Sequence, residues 1–175
     1  MKNKAIFLDR DGVINEAIKE NPCVKSPEEF YLLPSVIQAI RKINESDYLA
    51  IIITNQPGIA QGLFIKEDLE RVHDYMIHLL QFGEAKIDDI FYCPHHPEKG
   101  WPNEVKELKI QCECRKPLPG LLKYASMKHG IDLSQSFFIG DRIQDTLAGQ
   151  AAGCKTIQIE TNGSLLEAIN FILGE

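Results

Sequence analysis

No stretch of this 175-residue chain is apolar enough to cross a bilayer: its longest apolar run, residues 48–53, falls far short of the roughly 20 residues a spanning helix needs. A secretory leader is not expected either, because the apolar stretch after the basic start Met1-Lys2-Asn3-Lys4 is interrupted at Asp9. Positive charge is not in excess. The 19 Lys and Arg face 25 Asp and Glu, a formal net charge of −6 that argues against generic binding of nucleic acid or anionic membrane but leaves room for a small basic pocket. Aromatic residues make up only 8% and form no basic aromatic patch for single strands. Five cysteines at uneven spacing make a poor disulfide framework, and three of them crowd near a histidine, which points to reduced thiolates, a metal and a cytoplasmic protein. Internal repeats, low-complexity tracts and a second-domain linker are also missing. What remains, 44% hydrophobic and 25% charged, suits a single domain over residues 1–175 with a substantial core.

Within that domain the run Ala5-Ile6-Phe7-Leu8 leads directly into Asp9-Arg10-Asp11-Gly12. Four apolar residues without polar alternation suit a strand covered on both faces, and ligands of parallel sheets gather beyond the carboxyl ends of such strands. Carboxylates at i and i+2 of an extended segment point the same way, so Asp9 and Asp11 call for a cation, a proton or strong donors. Mg2+ is the economical partner.

The rest of the chain repeats this design. Residues 16–30, polar and carrying Pro22 and Pro27, read as a loop over the end of the first strand. Leu33-Pro34-Ser35 opens a helix to about residue 45, with Val36, Ile37, Ile40 and Ile43 at helical spacing. A second strand, 48–53, ends at Thr54-Asn55-Gln56. A helix over 65–80 follows and carries His73 and His78, both read as surface or half-buried imidazoles. Further strands are expected at 87–93, 136–141 and 155–159, and helices at 119–129, 143–152 and 164–173. The alternation predicts an α/β, doubly wound, Rossmann-like parallel sheet.

The strand ends then make a set: Asp9 and Asp11, Thr54 and Asn55, Arg115 and Lys116, Asp141 and Asp145. Carboxylates, hydroxyl or amide donors and cations together are what phosphoryl transfer needs, with the phosphoryl group clamped by Mg2+ and fixed donors. A carboxylate nucleophile with a second acid beside it is one solution. Asp145, in a helix's first turn, reads equally as a charge favourable to the helix dipole or as a metal ligand. Separately, Cys93-Pro94-His95 and Cys112-Glu113-Cys114 flank an insertion over about 93–114 and have the composition of a structural Cys3His zinc site. His96 could replace His95, but only His95 gives the same one-residue gap on both sides. Cys154 reads as core packing, and the role of Cys23 is open.

These motifs resemble those of the haloacid dehalogenase (HAD) superfamily of phosphatases: Asp9-Arg10-Asp11-Gly12-Val13, Thr54-Asn55, Lys116, and Gly140-Asp141 with Asp145 match its four motifs in order. The resemblance implies the HAD fold without a cap domain and with a zinc-clamped loop. It implies Asp9 as nucleophile, Asp11 as general acid and base, and Thr54 and Lys116 as phosphoryl stabilisers. Mg2+ would be held by Asp9, Asp141 and the backbone carbonyl of Asp11. Cys93-Pro94-His95-His96-Pro97 with Cys112-Glu113-Cys114-Arg115-Lys116-Pro117 narrows it to the zinc-containing branch, whose members include heptose bisphosphate and histidinol phosphate phosphatases. Residues 54–62 are more similar to the heptose group, which acts in bacterial nucleotide-heptose and cell-surface polysaccharide synthesis. Asn55, Gln56, Arg115, Arg142, Asn21 and Val24 would then face a small phosphorylated sugar, the enzyme working as a monomer without nucleic acid or membrane. The histidinol phosphate reading stays open through Glu20, Glu28 and Glu29, and a non-catalytic phosphosugar-binding module is the alternative of another class.

Overall fold

A computed structural model describes residues 2–17 and 23–174. Five strands, β1 (Lys4–Leu8), β2 (Tyr48–Asn55), β3 (Asp89–Cys93), β4 (Phe137–Gly140) and β5 (Lys155–Gln158), form one parallel sheet in the order β3-β2-β1-β4-β5. The helices are α1 (Val36–Asn44), α2 (Lys66–Phe82), α3 (Gly120–His129), α4 (Ile143–Ala152) and α5 (Leu165–Leu173). β1 is central, which explains its unbroken apolar run. Ile6 and Leu8 enter one core with residues of α1, α2 and α5, while Ala5 and Phe7 enter another with residues of α3 and α4.

The chain winds outward from β1 through β2 to β3, then returns to the other side of β1 for β4 and β5, so the order reverses at the carboxyl ends of β1 and β4. That switch point puts the Asp9 and Asp141 ends side by side. A third, small core lies under the site loops, where Cys23, Ile59, Phe64 and Leu69 pack together with Tyr92 and Leu108 against them. It joins the first loop, the loop after β2, α2 and the cysteine insertion. Among the described residues, the connections from β1 to α1 and from β3 to α3 hold no helix beyond single 3₁₀ turns, at Pro27–Glu29 and Lys106–Leu108. No helix is long and apolar enough to cross a membrane among those residues.

The expected elements are found within a residue or two of their bounds, with β3 starting at Asp89 rather than residue 87. One placement differs: His73 is buried, because α2 turns it toward the end of β1 rather than toward solvent.

Candidate active site

Asp9 leaves β1 with its amide donating to the carbonyl of Ile139 at 2.9 Å, a ladder contact that carries Asp9 one residue past the strand. Lys116 comes to it from the cysteine insertion. The Lys116 Nζ lies 2.8 Å from Asp9 Oδ1 and 2.6 Å from Asp145 Oδ1, and donates to the carbonyl of Ile53 at 3.0 Å. Burial alone would lower the Lys116 ammonium, but Asp9 and Asp145 hold it above its ordinary value. Asp9 is displaced in the same direction: burial, reinforced by Asp145 and only partly offset by Lys116, pushes its carboxyl up to about 6.

Asn55 fixes that lysine's backbone. Its amide donates to the Lys116 carbonyl and accepts from the Lys116 N–H, both at 3.1 Å, imitating a strand pairing with an irregular loop. Asn55 lines the cleft, but both ends of its amide are engaged there. Gln56 is a clearer correction to the expectation of substrate contact: only 2% exposed, it donates inward to Asp11 Oδ2 at 2.8 Å and to Thr54 Oγ1 at 3.0 Å. The Val24 side chain is likewise buried in the main core, because the loop turns it inward, and Cys23 lines the cleft in its place. Asn21 lies outside the described residues.

Asp11 sits in a cage of donors. Arg10, itself fully buried, reaches Asp11 Oδ1 from Nε at 3.2 Å and from Nη2 at 2.8 Å, and Oδ2 from Nη2 at 3.1 Å. Asn15 Nδ2 adds a bond to Oδ1 at 3.0 Å. Burial would raise this carboxyl, yet Arg10, Asn15 and Gln56 hold it below the usual range. The sequence assigns Arg10 no role of its own; the signal it offers is a cation between two carboxylates at the end of a buried strand.

Asp141 completes the set. Thr161 Oγ1 donates to its Oδ2 at 2.7 Å, while its Oδ1 is buried with no hydrogen-bond partner among the described residues. Gly12, at φ +87°, lets the first loop pass: a Cβ there would lie 2.6 Å from Asp141 Oδ2. Asp145, left open by the sequence between a dipole charge and a metal ligand, lies in the first turn of α4, caps it and also joins the carboxylate group. Its Oδ2 accepts the Arg142 N–H at 3.0 Å, and one oxygen from each of Asp9, Asp141 and Asp145 lies within 4.8 Å of the others. Three buried carboxylates, two of them on one ammonium and the third with an orphaned oxygen, are a hard-oxygen set short of positive charge, and they fit Mg2+.

The cysteine insertion closes as a second metal centre. Cys114 Sγ lies 3.1 Å from Cys93 Sγ, 3.3 Å from Cys112 Sγ and 3.2 Å from His95 Nδ1, and no disulfide forms. Four soft donors at mutual distances near the edge of a tetrahedron fit zinc. His96 is outside this group, its ring edge-on to Trp101 at 4.9 Å, which settles the choice in favour of His95.

Together these elements enclose a cleft of about 170 Å3 lined by Asp9, Asp11, Thr54 and Lys116 at its floor and by Cys23, Pro57, Gln61, Arg115, Arg142 and Gln144 around it. Among the described residues, every charged side chain on that wall apart from the two aspartates is a cation.

A family model described as HAD-hydrolase-like matches residues 113–170. The D-glycero-beta-D-manno-heptose-1,7-bisphosphate 7-phosphatase of Bordetella bronchiseptica is 37% identical over 158 residues, covering 90% of this chain and 81% of the relative. The enzyme of that name from Escherichia coli K12 is 37% identical over 152 residues, covering 87% and 76%. A crystal structure of D,D-heptose 1,7-bisphosphate phosphatase from B. bronchiseptica, complexed with magnesium and phosphate, superposes with a TM-score of 0.83 at 32% identity over 98% of both chains.

Proposed function

The chain belongs to the HAD family of D-glycero-beta-D-manno-heptose-1,7-bisphosphate 7-phosphatases, and from that premise we propose that it removes the 7-phosphate of D-glycero-β-D-manno-heptose 1,7-bisphosphate. The observation that carries the reading is the charge of the cleft. Among the described residues its charged lining beyond the two aspartates is cationic, with Arg115 and Arg142 beside Lys116, which suits a substrate with a second phosphate and opposes the ammonium and imidazole of histidinol phosphate. The reaction would serve heptose activation for cell-surface polysaccharide.

In this mechanism an Asp9 oxygen attacks the 7-phosphorus in line, forming an aspartyl phosphate as the bond from phosphorus to the sugar oxygen breaks. Asp11, whose carboxyl its donors hold low in the free site, takes up a proton from solvent once the phosphate's negative charge is beside it, gives it to the departing oxygen, then takes one from the water that hydrolyses the intermediate, releasing phosphate and regenerating Asp9. Thr54 and Lys116 stabilise the phosphoryl oxygens. Mg2+, held by Asp9, Asp141 and the Asp11 carbonyl with Asp145 alongside, supplies charge neutralisation when bound. Cys93, His95, Cys112 and Cys114 would hold zinc, which would stabilise the loop that delivers Arg115 and Lys116. Arg115 and Arg142 hold the phosphate that is not cleaved, and the family resemblance adds Asn21 as a substrate contact. We take residues 1–175 as one domain acting as a cytoplasmic monomer, a compartment in keeping with five cysteines free of disulfides.

The test is Mg2+-dependent phosphate release by zinc-loaded protein from both anomers of the heptose bisphosphate and from histidinol phosphate. The expected kcat/KM is highest for the β-anomer, and a preference for histidinol phosphate would overturn the assignment.

A further inference from the structure

Arg10 has one arm that the Asp11 carboxylate does not use. Its Nη1 points away from the cleft and meets His73 Nε2 at 3.2 Å, across 63 residues of sequence. A guanidinium only donates, so this imidazole nitrogen accepts and the ring proton sits on Nδ1. Both partners are enclosed: Arg10 is fully buried, and His73 is 7% exposed with its ring edge-on to Tyr92 at 6.0 Å. The chain of contacts therefore runs from α2 through His73 and Arg10 to Asp11, and no member before Asp11 lines the cleft.

An arginine on a short carboxylate next to it in sequence has several ways to lie, and a flexible side chain must be fixed at both ends to hold one of them. The Asp11 end alone leaves rotation about the long stem. A neutral acceptor at Nη1 removes that freedom without competing for the positive charge, as a second carboxylate would. The burial of the ring, with the Arg10 charge beside it, pushes the imidazole down to about 3, so this acceptor stays neutral over the working range.

We propose that His73 is a positioning residue for acid–base catalysis, fixing the Arg10 fork and through it the orientation of the Asp11 carboxylate toward the reacting oxygen. This rests on the phosphatase reading above, in which Asp11 gives its proton to the departing sugar oxygen while Asp9 takes the phosphoryl group. An alkoxide needs that proton; p-nitrophenolate, a weak base, leaves without it. The defect from losing His73 is thus specific to the leaving group, which a merely structural role would not produce.

The experiment compares kcat/KM for the heptose bisphosphate and for p-nitrophenyl phosphate in wild type, His73→Leu and His73→Gln, whose side-chain oxygen can accept from Nη1. Expected for His73→Leu is a loss of about 10- to 100-fold on the sugar phosphate, mainly in kcat, against about 3-fold or less on the aryl ester, with His73→Gln within about 3-fold of wild type on both. His73→Met replaces His73→Leu if the latter does not fold. Equal losses on the two esters, no loss on either, or failure of Gln to rescue would overturn the proposal. A wild type inactive on both esters would instead overturn the phosphatase reading, and the proposal with it.

Discussion

Arg115 Nη1 donates to the backbone carbonyl of His95 at 3.2 Å, so the cation beside Lys116 is tied directly to a member of the cysteine cluster. Because Cys114, Arg115 and Lys116 are consecutive, the cluster sets the position of both cations at once. Removing the metal frees two strings of loop together. Chelation, or Cys112→Ser, is expected to lower kcat/KM by at least about 10-fold and to lower Tm by several degrees. Zinc content, a thermal melt and turnover on one preparation check this; unchanged turnover in zinc-free protein would show that the loop holds its own shape.

Asp145 separates two roles that the sequence leaves superimposed. One oxygen caps α4 through the Arg142 N–H, and the other faces Lys116 in the carboxylate group. Asp145→Asn keeps an acceptor for the cap and removes the charge. The expected result is a shift of Tm by no more than a few degrees with a Mg2+ requirement raised about 10-fold or more, read from phosphate release against Mg2+ concentration. A collapse in Tm with an unchanged Mg2+ requirement would mean that the cap is its main contribution.

How much of this was legible beforehand follows from where each signal resides. β1 and β2 announce themselves because strands buried on both faces need unbroken apolar runs, and the polar residues that end those runs stand where ligands of parallel sheets collect. Cys93, His95, Cys112 and Cys114 were legible because soft ligands rarely pair by accident. His73 was not: its partner is 63 residues away, and helical periodicity cannot distinguish a histidine facing a buried arginine from one on a half-wet face. Gln56 and Val24 were placed by motif position, which identifies a loop near the substrate but not which way each side chain turns. Thr161, which binds Asp141 from the loop after β5, belongs to no periodic pattern at all.

Thr161 matters because it occupies one oxygen of Asp141 and leaves the other free. Thr161→Val removes the donor at nearly constant shape, so Asp141 gains a torsional freedom that the metal must then restrict. Mg2+ affinity, measured by calorimetry without substrate, is expected to fall about 10-fold or more. An unaltered affinity would show that Gly12 and the chain packed against Asp141 suffice to orient it.

His73 also predicts a pH dependence of stability that is separable from catalysis. Facing it are Arg10 and Asp11 from the end of β1, Glu70 and Asp74 on its own helix, and Asp88 and Asp89 across the groove toward β3. With the ring at about 3 when folded and an ordinary value of 6.5 when unfolded, the unfolded chain binds the extra proton between those limits. Stability from the neutral ring is therefore complete above about pH 6.5 and is lost as pH falls toward 3, by at most about 1.4 kcal/mol per pH unit. Asp9, pushed up to about 6, acts in the opposite direction: its native state holds the proton more tightly, so its contribution falls as pH rises from 3.8 to 6. The informative quantity is hence the difference between wild type and His73→Gln in urea melts at pH 7.5, 6 and 5 without Mg2+. Wild type is expected to lose stability relative to the variant as pH falls across this series, and parallel profiles would show that the folded imidazole takes up its proton as readily as the unfolded one.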